Sequence, residues 1–354
     1  MKPVQGILTD TSVLISKPKD VGRLYGKSRF GKTLSGNTLQ LHLIEAVYLV
    51  DEEKLTLKKD DCPISLQELI SIAAKQNPSF ETLFLSFQDL RHRGYQVEIC
   101  ENSAFCSFQI QKKTDSQPNQ TIYISAFSER IPLTLSALTR LVTEAMHTQA
   151  SCWISIVDEE GDITYYDLIL LPPEGVIEQK KYPHTTGILL ENRAIILDTN
   201  KAALLHDKEF YGKPFCKGLQ LSPIEAAYLT KKKTCSFLSA SNQKTASFTT
   251  LQKTLSKKQP EFSKIFSVYE DLKQRKMIVK TGFKFGAHFR AYTNNPSTTH
   301  AEYIIQVIKD TYETSWPEIS RGVRLAHSVN KIFIYAMVSK NQDISYLQFR
   351  RLRP

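Results

Sequence analysis

The chain writes much of its sequence twice, and this constrains its fold more than any single motif. Leu39-Gln40-Leu41-His42-Leu43-Ile44-Glu45-Ala46-Val47-Tyr48-Leu49 returns as Leu219-Gln220-Leu221-Ser222-Pro223-Ile224-Glu225-Ala226-Ala227-Tyr228-Leu229. Phe87-Gln88-Asp89-Leu90-Arg91-His92-Arg93 returns as Tyr269-Glu270-Asp271-Leu272-Lys273-Gln274-Arg275, and Gly161-Asp162-Ile163-Thr164-Tyr165 as Gln342-Asp343-Ile344-Ser345-Tyr346. The offset is roughly 180 residues, about half of the 354. Solenoid repeats run only about 20–50 residues, so this period means two whole domains. Breaker-rich, charged sequence from Pro172 to Pro183 marks the joint, as a linker should. The expected division is residues 1–178 and 179–354.

Local patterns give the coarse structure of the second copy. Residues 187–192 and 194–198 read as a hairpin. Ser222-Pro223-x-Glu225 opens a helix, with Ser222 as N-cap and Pro223 at the first helical position. Phe262, Ile265, Phe266, Tyr269 and Leu272 recur at helical spacing within 260–275. Strands follow at 277–280, 288–292 and 303–308. A helix over 317–329 turns Ile319, Val323 and Ala326 inward, with Arg321 and Arg324 on other faces, and strands over 331–338 and 344–349 close the chain. The pattern predicts an α+β fold as a tandem duplication, each unit a small α/β N-terminal subdomain followed by a mixed α/β C-terminal subdomain.

Composition removes several classes of function. Apolar runs such as 332–338 span about seven residues where a bilayer helix needs roughly 20, so no membrane partner is expected. Asp10 and Thr11 interrupt the N-terminal stretch before a secretory h-region forms, and the expected compartment is the cytoplasm. The six cysteines form no C-x-x-C pair and no zinc spacing; they read as buried thiols in a reducing compartment, and no metal or cofactor is expected. A net charge of +10 permits a polyanionic partner without demanding one. Gly22-Arg23-Leu24-Tyr25-Gly26-Lys27-Ser28 imitates a phosphate loop, but only three residues separate its glycines and no buried strand precedes it. Tyr211-Gly212-Lys213-Pro214 repeats its Tyr-Gly-Lys, so the element reads as a shared structural turn.

A duplicated chain carries its own control, because polar groups confined to one copy are candidates for chemistry. Residues 280–292 (KTGFKFGAHFRAY) have no likeness in the first copy, where 98–110 reads EICENSAFCSFQI. Tyr292 stands against Ile110, His300 against about Gln120, and Lys331 against Ala150 or Ser151. A phenol, an imidazole and an ammonium suit attack of a ribose 2′-hydroxyl on the adjacent phosphate. That reaction needs a base, an acid for the 5′-oxygen and a cation for the phosphorane. An imidazole titrates near ~6.5 and suits proton donation close to neutrality, and an ammonium is a compact stabilising charge. A free phenol titrates near ~10 and needs a neighbouring cation to act as a base. The residues alone do not say which of Tyr292 and His300 is base and which acid.

Residues 280–292, then His300-Ala301-Glu302-Tyr303, then 320–331 (SRGVRLAHSVNK) closely resemble the archaeal tRNA-splicing endonucleases, or tRNA-intron lyases, in their two-repeat homodimeric form. The resemblance implies a restriction-endonuclease-like C-terminal subdomain, with Tyr292 as general base, His300 as general acid and Lys331 as phosphorane stabiliser. It implies precursor tRNA as partner, cut at both exon–intron junctions of a bulge-helix-bulge, with 2′,3′-cyclic phosphate and 5′-hydroxyl products. It casts 1–178 as a non-catalytic repeat and 179–354 as the catalytic one. Departures are Lys276-Met277 in place of the family's usual Gly-Tyr, kept at Gly94-Tyr95, and Asn330 where a basic residue is common.

The family also gives meaning to Asp158, Glu159, Glu160 and Asp162, an acidic hairpin whose counterpart is Ser339-Lys340-Asn341-Gln342. In relatives such a loop docks into a basic pocket of the other protomer, a contact that selects the partner. Arg324 and Arg351 resemble positions presenting arginines to the bulge, where a guanidinium pair stacks on an unpaired base. His288 is expected to be structural, and His327 has a counterpart in His147. Lys284 and Arg290 are either phosphate contacts or solvated cations. Two rival readings remain: a non-catalytic RNA-binding subunit, which retention of all three groups opposes, and a metal-dependent nuclease, for which Glu302 and Asp310 show no E-x-K pattern.

Overall fold

Alternation of inward apolar residues builds the first sheet. In β1 (Val4–Leu8) Val4 and Leu8 are buried while Gln5 and Ile7 are exposed, the two-residue period of a one-sided strand. The computed structural model describes residues 2–34, 37–101, 103–112, 120–178, 180–241 and 243–354. With β2 (Ser12–Ile15), β3 (Lys32–Thr33), β4 (Leu39–His42), β5 (Leu55–Lys59) and β6 (Cys62–Ile64), the strands order as β3-β4-β2-β1-β5-β6. Three helices accompany them: α1 (Pro18–Val21), α2 (Leu43–Asp51) and α3 (Leu66–Gln76). A long helix, α4 (Phe80–His92), leads to β7 (Val97–Ile99), β8 (Phe108–Lys112), β9 (Gln120–Ser128), β10 (Leu133–Thr134), α5 (Leu135–His147), β11 (Ser151–Val157) and β12 (Ile163–Leu170). In this second sheet the order is β7-β8-β9-β11-β12, and α5 is the crossover that makes β9 and β11 parallel.

The second repeat reproduces both sheets. β13 (Thr185–Leu189), β14 (Ala194–Ile196), α6 (Thr199–Glu209), β15 (Lys213–Phe215), β16 (Gly218–Leu221), α7 (Pro223–Lys231), β17 (Cys235–Ser239), β18 (Thr245–Ala246) and α8 (Phe248–Lys258) come first. Their order, β15-β16-β14-β13-β17-β18, matches the first repeat strand for strand. α9 (Phe262–Gln274), β19 (Ile278–Thr281), β20 (Phe289–Tyr292), β21 (Tyr303–Lys309), β22 (Glu313–Thr314), α10 (Trp316–Ser328), β23 (Ile332–Val338) and β24 (Ile344–Leu352) complete it, ordered β19-β20-β21-β23-β24. The expected hairpin, the Ser222 cap and the α9 and α10 spacings are all present. Each of the five spaced side chains of α9 is at most 5% exposed, and burial of this kind contributes about 1.5–3 kcal/mol per large apolar side chain.

The chain divides into two units, Met1–Ile169 with Glu313–Ser320 and Arg350–Pro354, and Leu170–Tyr312 with Arg321–Phe349. The short strand β22 belongs to the first of these, pairing Thr314 with Leu133.

Matched polar clamps confirm the duplication. Tyr165 donates its hydroxyl to Asp89 at 2.7 Å while Arg93 donates to the same carboxylate; Tyr346, Asp271 and Arg275 do the same at 2.6 and 2.8 Å. Glu45 and Glu225 each cap their own helix and also accept the N–H of a left-handed glycine, Gly31 and Gly212. The shared turn is therefore Gly31-Lys32 and Gly212-Lys213. Tyr25-Gly26-Lys27 instead lies at the end of a helical turn spanning Gly22–Gly26, which corrects the sequence pairing of that motif with Tyr211-Gly212-Lys213.

Three further expectations change. The segment after Pro173 is fixed rather than loose: Gly175, Val176 and Ile177 donate their N–H groups to Arg275, Thr293 and Lys276. Gly175 is needed there because a Cβ would meet the Lys276 backbone. Gln179, at the expected boundary, lies outside the described residues. Among the cysteines, Cys100 and Cys106 are joined in a disulfide, while Cys62 and Cys216 are exposed; only Cys152 and Cys235 are buried thiols. The Cα atoms of the first pair lie 6.0 Å apart, within bonding reach. Finally, Lys276 takes φ near 60° where Gly94 takes 90°, so the Lys departure is accommodated in a conformation costing about 1–2 kcal/mol outside glycine. Among the described residues, no helix is long and apolar enough to cross a membrane.

Candidate active site

Three neighbouring strands bring the catalytic candidates to one end of the second repeat's sheet. β20 runs antiparallel to β21 and ends on Tyr292; β21 and β23 run parallel, with Tyr303 opposite Ile332. The C-terminal end of β20 and the starts of β21 and β23 thus coincide. Glu302 donates its N–H to Ala291 at 3.1 Å and accepts that of Ile332 at 2.8 Å, so the backbone is continuous in hydrogen bonds across Tyr292, the His300 loop and Lys331.

Each group is held differently. Tyr292 is 9% exposed and packs with Ile278 and Ala301, flanked by Ile177 and Phe210. His300 is exposed, at the close of a turn in which Asn295 accepts the Thr298 and Thr299 N–H groups; its neighbour Ala301 is buried against Tyr292 and anchors it. Lys331 follows Asn330, which takes φ near 53° and lets the Lys331 N–H reach back to Ala326 at 2.9 Å. The first repeat builds the same turn with Gln149, ending on Ala150. An identical backbone device therefore presents an ammonium in one copy and a methyl in the other.

The strand registers refine the comparison of the copies. Ile110 pairs with Val97 as Ala291 pairs with Val279, so Gln111, not Ile110, is the counterpart of Tyr292. Residue 119, opposite His300, lies outside the described residues. A shift of one residue moves a side chain to the other face, which local likeness alone could not resolve.

Of the two cations the sequence left undecided, Lys284 is exposed and Arg290 lies beside Tyr292. Its guanidinium carbon lies 5.9 Å from the Tyr292 ring centroid, and its Nε is buried with no hydrogen-bond partner. Burial, and next the nearby Arg290 charge, hold the Lys331 ammonium below its ordinary pKa. Lys331 Nζ donates to Val329 O at 3.2 Å and rests 5.8 Å over the Phe285 ring. The signal was available, since Arg290 and Tyr292 are two apart on one strand and share a face; in the first repeat Gln109 takes the place of Arg290. His288 accepts the Val307 N–H on Nδ1 at 3.1 Å and is half-buried, a structural arrangement. Among the described residues, no group of three His, Cys, Asp or Glu side chains could hold a metal ion.

The other candidates are surface groups. Arg324 is exposed on α10, and Arg351 is exposed near the end of β24. In the hairpin between β11 and β12, the Asp158 carboxylate accepts the Glu160 and Asp162 N–H groups, which fixes the turn, and Glu159 pairs with Arg130. Glu160 and Asp162 are left pointing outward and exposed.

Sequence comparisons show which family the chain resembles. The profile described as tRNA intron endonuclease, catalytic C-terminal domain, matches residues 262–346, which hold Tyr292, His300 and Lys331. The profile described as tRNA intron endonuclease, N-terminal domain, matches twice, at 4–70 and 185–250. The chain is similar to the tRNA-splicing endonuclease of Methanococcoides burtonii, at 34% identity over 96% of this chain and 97% of that protein. That of Methanosarcina acetivorans is 31% identical over 94% and 95%, and that of Haloferax volcanii 27% over 99% and 100%. This chain belongs to the tRNA intron endonuclease family.

Proposed function

We propose that the chain is a tRNA-splicing endonuclease that cuts precursor tRNA at both exon–intron junctions of a bulge-helix-bulge. The observation that carries this reading is the coincidence of the catalytic-domain match with the strand ends bearing Tyr292, His300 and Lys331. Tyr292, in its phenolate form, takes the proton of the ribose 2′-hydroxyl, the 2′-oxygen attacks phosphorus, and the bond to the 5′-oxygen breaks. His300 gives that oxygen its proton, while the Lys331 and Arg290 cations offset the extra charge on the phosphorane. Products carry a 2′,3′-cyclic phosphate and a 5′-hydroxyl, and neither a metal nor a cofactor takes part. Residues 179–354 form the catalytic repeat and 1–178 the non-catalytic one, with Arg324 and Arg351 as bulge contacts.

The working form is a homodimer in the cytoplasm. The exposed Glu160 and Asp162, held by the Asp158 turn, dock on the partner's basic cleft. A cleft of about 840 Å³ in the second repeat supports this: its lining includes Arg193 and Lys213, neither of which pairs with a carboxylate among the described residues. Two active sites related by a two-fold axis then match two scissile bulges.

The test is cleavage of an intron-containing precursor tRNA in excess EDTA by wild type, Tyr292→Phe, His300→Ala and Lys331→Ala, with end-group analysis of the fragments. Wild type should cut and leave cyclic phosphate, and each variant should lose about 10²-fold or more. Full activity in any of the three variants rejects the mechanism. A solution mass falling from dimer to monomer on Glu160→Lys with Asp162→Lys supports docking.

A further inference from the structure

One position that is buried in the second repeat differs between the repeats and leaves the first without an ion-pair partner for its cation, whose nearest carboxylate is that of Glu45. In the second repeat Lys273 and Glu209 form an ion pair 3.1 Å apart, each side chain about 3% exposed. Tyr211 donates its hydroxyl to the same carboxylate at 3.2 Å, and the Lys273 ammonium lies 4.6 Å over the Tyr211 ring. Aligning the repeats through Gly31 with Gly212 and Asp89 with Asp271 sets Ser28 against Glu209, Phe30 against Tyr211 and Arg91 against Lys273. The cation–ring contact survives, with the Arg91 guanidinium 3.7 Å from the Phe30 centroid. The carboxylate does not. Arg91 Nη2 donates to the Ser28 carbonyl at 2.8 Å, and Nη1 is buried with no hydrogen-bond partner.

Beside Arg91 the first repeat has a cavity of about 540 Å³ that also carries Arg23, Lys27 and Lys54, against the single carboxylate of Glu53. Asp20 lies 4.0 Å from Arg23, and Glu52 pairs with Lys54 at 3.0 Å. Lys27 and Arg91 pair with no carboxylate among the described residues. We propose that this cavity is an anion site for a phosphate group, which supplies the first repeat with the acceptor that Glu209 supplies to the second. A phosphate has more acceptor oxygens than one carboxylate and accepts charge-assisted hydrogen bonds from both ammonium and guanidinium groups, so it suits a cavity in which Lys27 and Arg91 pair with no carboxylate among the described residues. The group comes either from the backbone of bound RNA, which rests on the function proposed above, or from a free phosphate or mononucleotide.

The test begins without RNA. Full-length protein is melted in inorganic phosphate and in chloride of equal ionic strength, as wild type, Ser28→Glu and Lys27→Gln. A ligand that binds only the folded state raises the melting temperature by mass action. Wild type should be stabilised by phosphate beyond chloride. Ser28→Glu, which builds in the missing carboxylate, should weaken the phosphate response about tenfold or more. Lys27→Gln, on the surface, should weaken it severalfold and leave the unliganded melt unchanged. No phosphate response in wild type, or equal responses in all three proteins, overturns the site. A second arm measures precursor-tRNA binding against salt in a His300→Ala background. A log–log slope smaller by about one unit in Lys27→Gln identifies the RNA backbone as source; an unchanged slope with the phosphate response intact assigns the site to small phosphates. Because the melt needs no cleavage, failure of the proposed enzymatic activity would leave it readable.

Discussion

Lys280 Nζ stands 3.1 Å from the buried carboxylate of Glu225. The same carboxylate accepts the Gly212 and Ser222 N–H groups, at 2.9 Å each, and the Ser222 hydroxyl. Burial pushes the Glu225 carboxyl up, and the Lys280 charge with these donors more than reverses it, leaving it below the usual range. Stability from Glu225 is therefore present above the unfolded pKa and lost as pH falls through the folded one. Lys280→Met should strand a buried charge and cost about 3–5 kcal/mol near neutrality, with the deficit shrinking as the carboxyl protonates. Urea denaturation at pH 7.5 and pH 5, with hydrogen exchange read over α7, checks this; equal stability at pH 7.5 would remove the ion pair from the account.

Glu45, the matching carboxylate of the first repeat, has the opposite balance. Glu98 stands where Lys280 does, and burial pushes the Glu45 carboxyl from its ordinary 4.5 up to about 7 despite the Gly31 and His42 donors. Because the folded value is raised, its contribution is fully present below about 4.5 and lost as pH rises through 7. Between those values the first repeat should lose stability on the order of a few kcal/mol relative to Glu45→Gln. Thermal melts of both proteins from pH 4.5 to 8 give the comparison, and parallel curves would contradict it.

What the sequence made legible follows from the range of each interaction. The α9 and α10 faces and the Ser222 cap are encoded within a few residues, and all are present. The candidates Tyr292, His300 and Lys331 stood out because the duplication exposed groups absent from the first copy, and the segment that bears them is the one the catalytic-domain profile matches. Properties that need a distant partner were not. Docking of Val176 and Ile177 beside Tyr292 depends on carbonyls of Thr293 and Lys276, and backbone acceptors carry no sequence signature. The Tyr292–Gln111 correspondence required the strand register, and the nearness of the Arg290 charge to Lys331 required knowing which strands are neighbours.

The Tyr–Asp–Arg clamps, being common to both repeats, should serve folding and not chemistry. Tyr165 and Tyr346 are each buried, and their hydroxyls donate to a carboxylate that also accepts from an arginine. Removing a hydrogen bond to a charged group costs about 1.5–3 kcal/mol. Tyr165→Phe and Tyr346→Phe should both lower stability by that order while cleavage at a permissive temperature leaves the same fragment ends. A change in end chemistry in Tyr346→Phe, with stability unaltered, would instead place that hydroxyl in the reaction.

Arg290 and Lys331 lead to a pH prediction. Burial first, and the Arg290 charge second, hold the Lys331 ammonium below its ordinary pKa. If the protonated amine stabilises the phosphorane, activity falls as pH rises through that pKa. Arg290→Met removes the repelling charge, so the Lys331 pKa should rise and the alkaline limb of the kcat/KM profile should move to higher pH. The plateau should drop as well, since one cation facing the phosphorane is lost; a contribution of this kind is worth about 10²-fold. Arg290→Lys keeps a charge and should leave the limb near its wild-type position. A merely structural Arg290 would lower the amount of active enzyme in both variants without shifting either limb, so the displacement of the limb, not the loss of rate, decides the point.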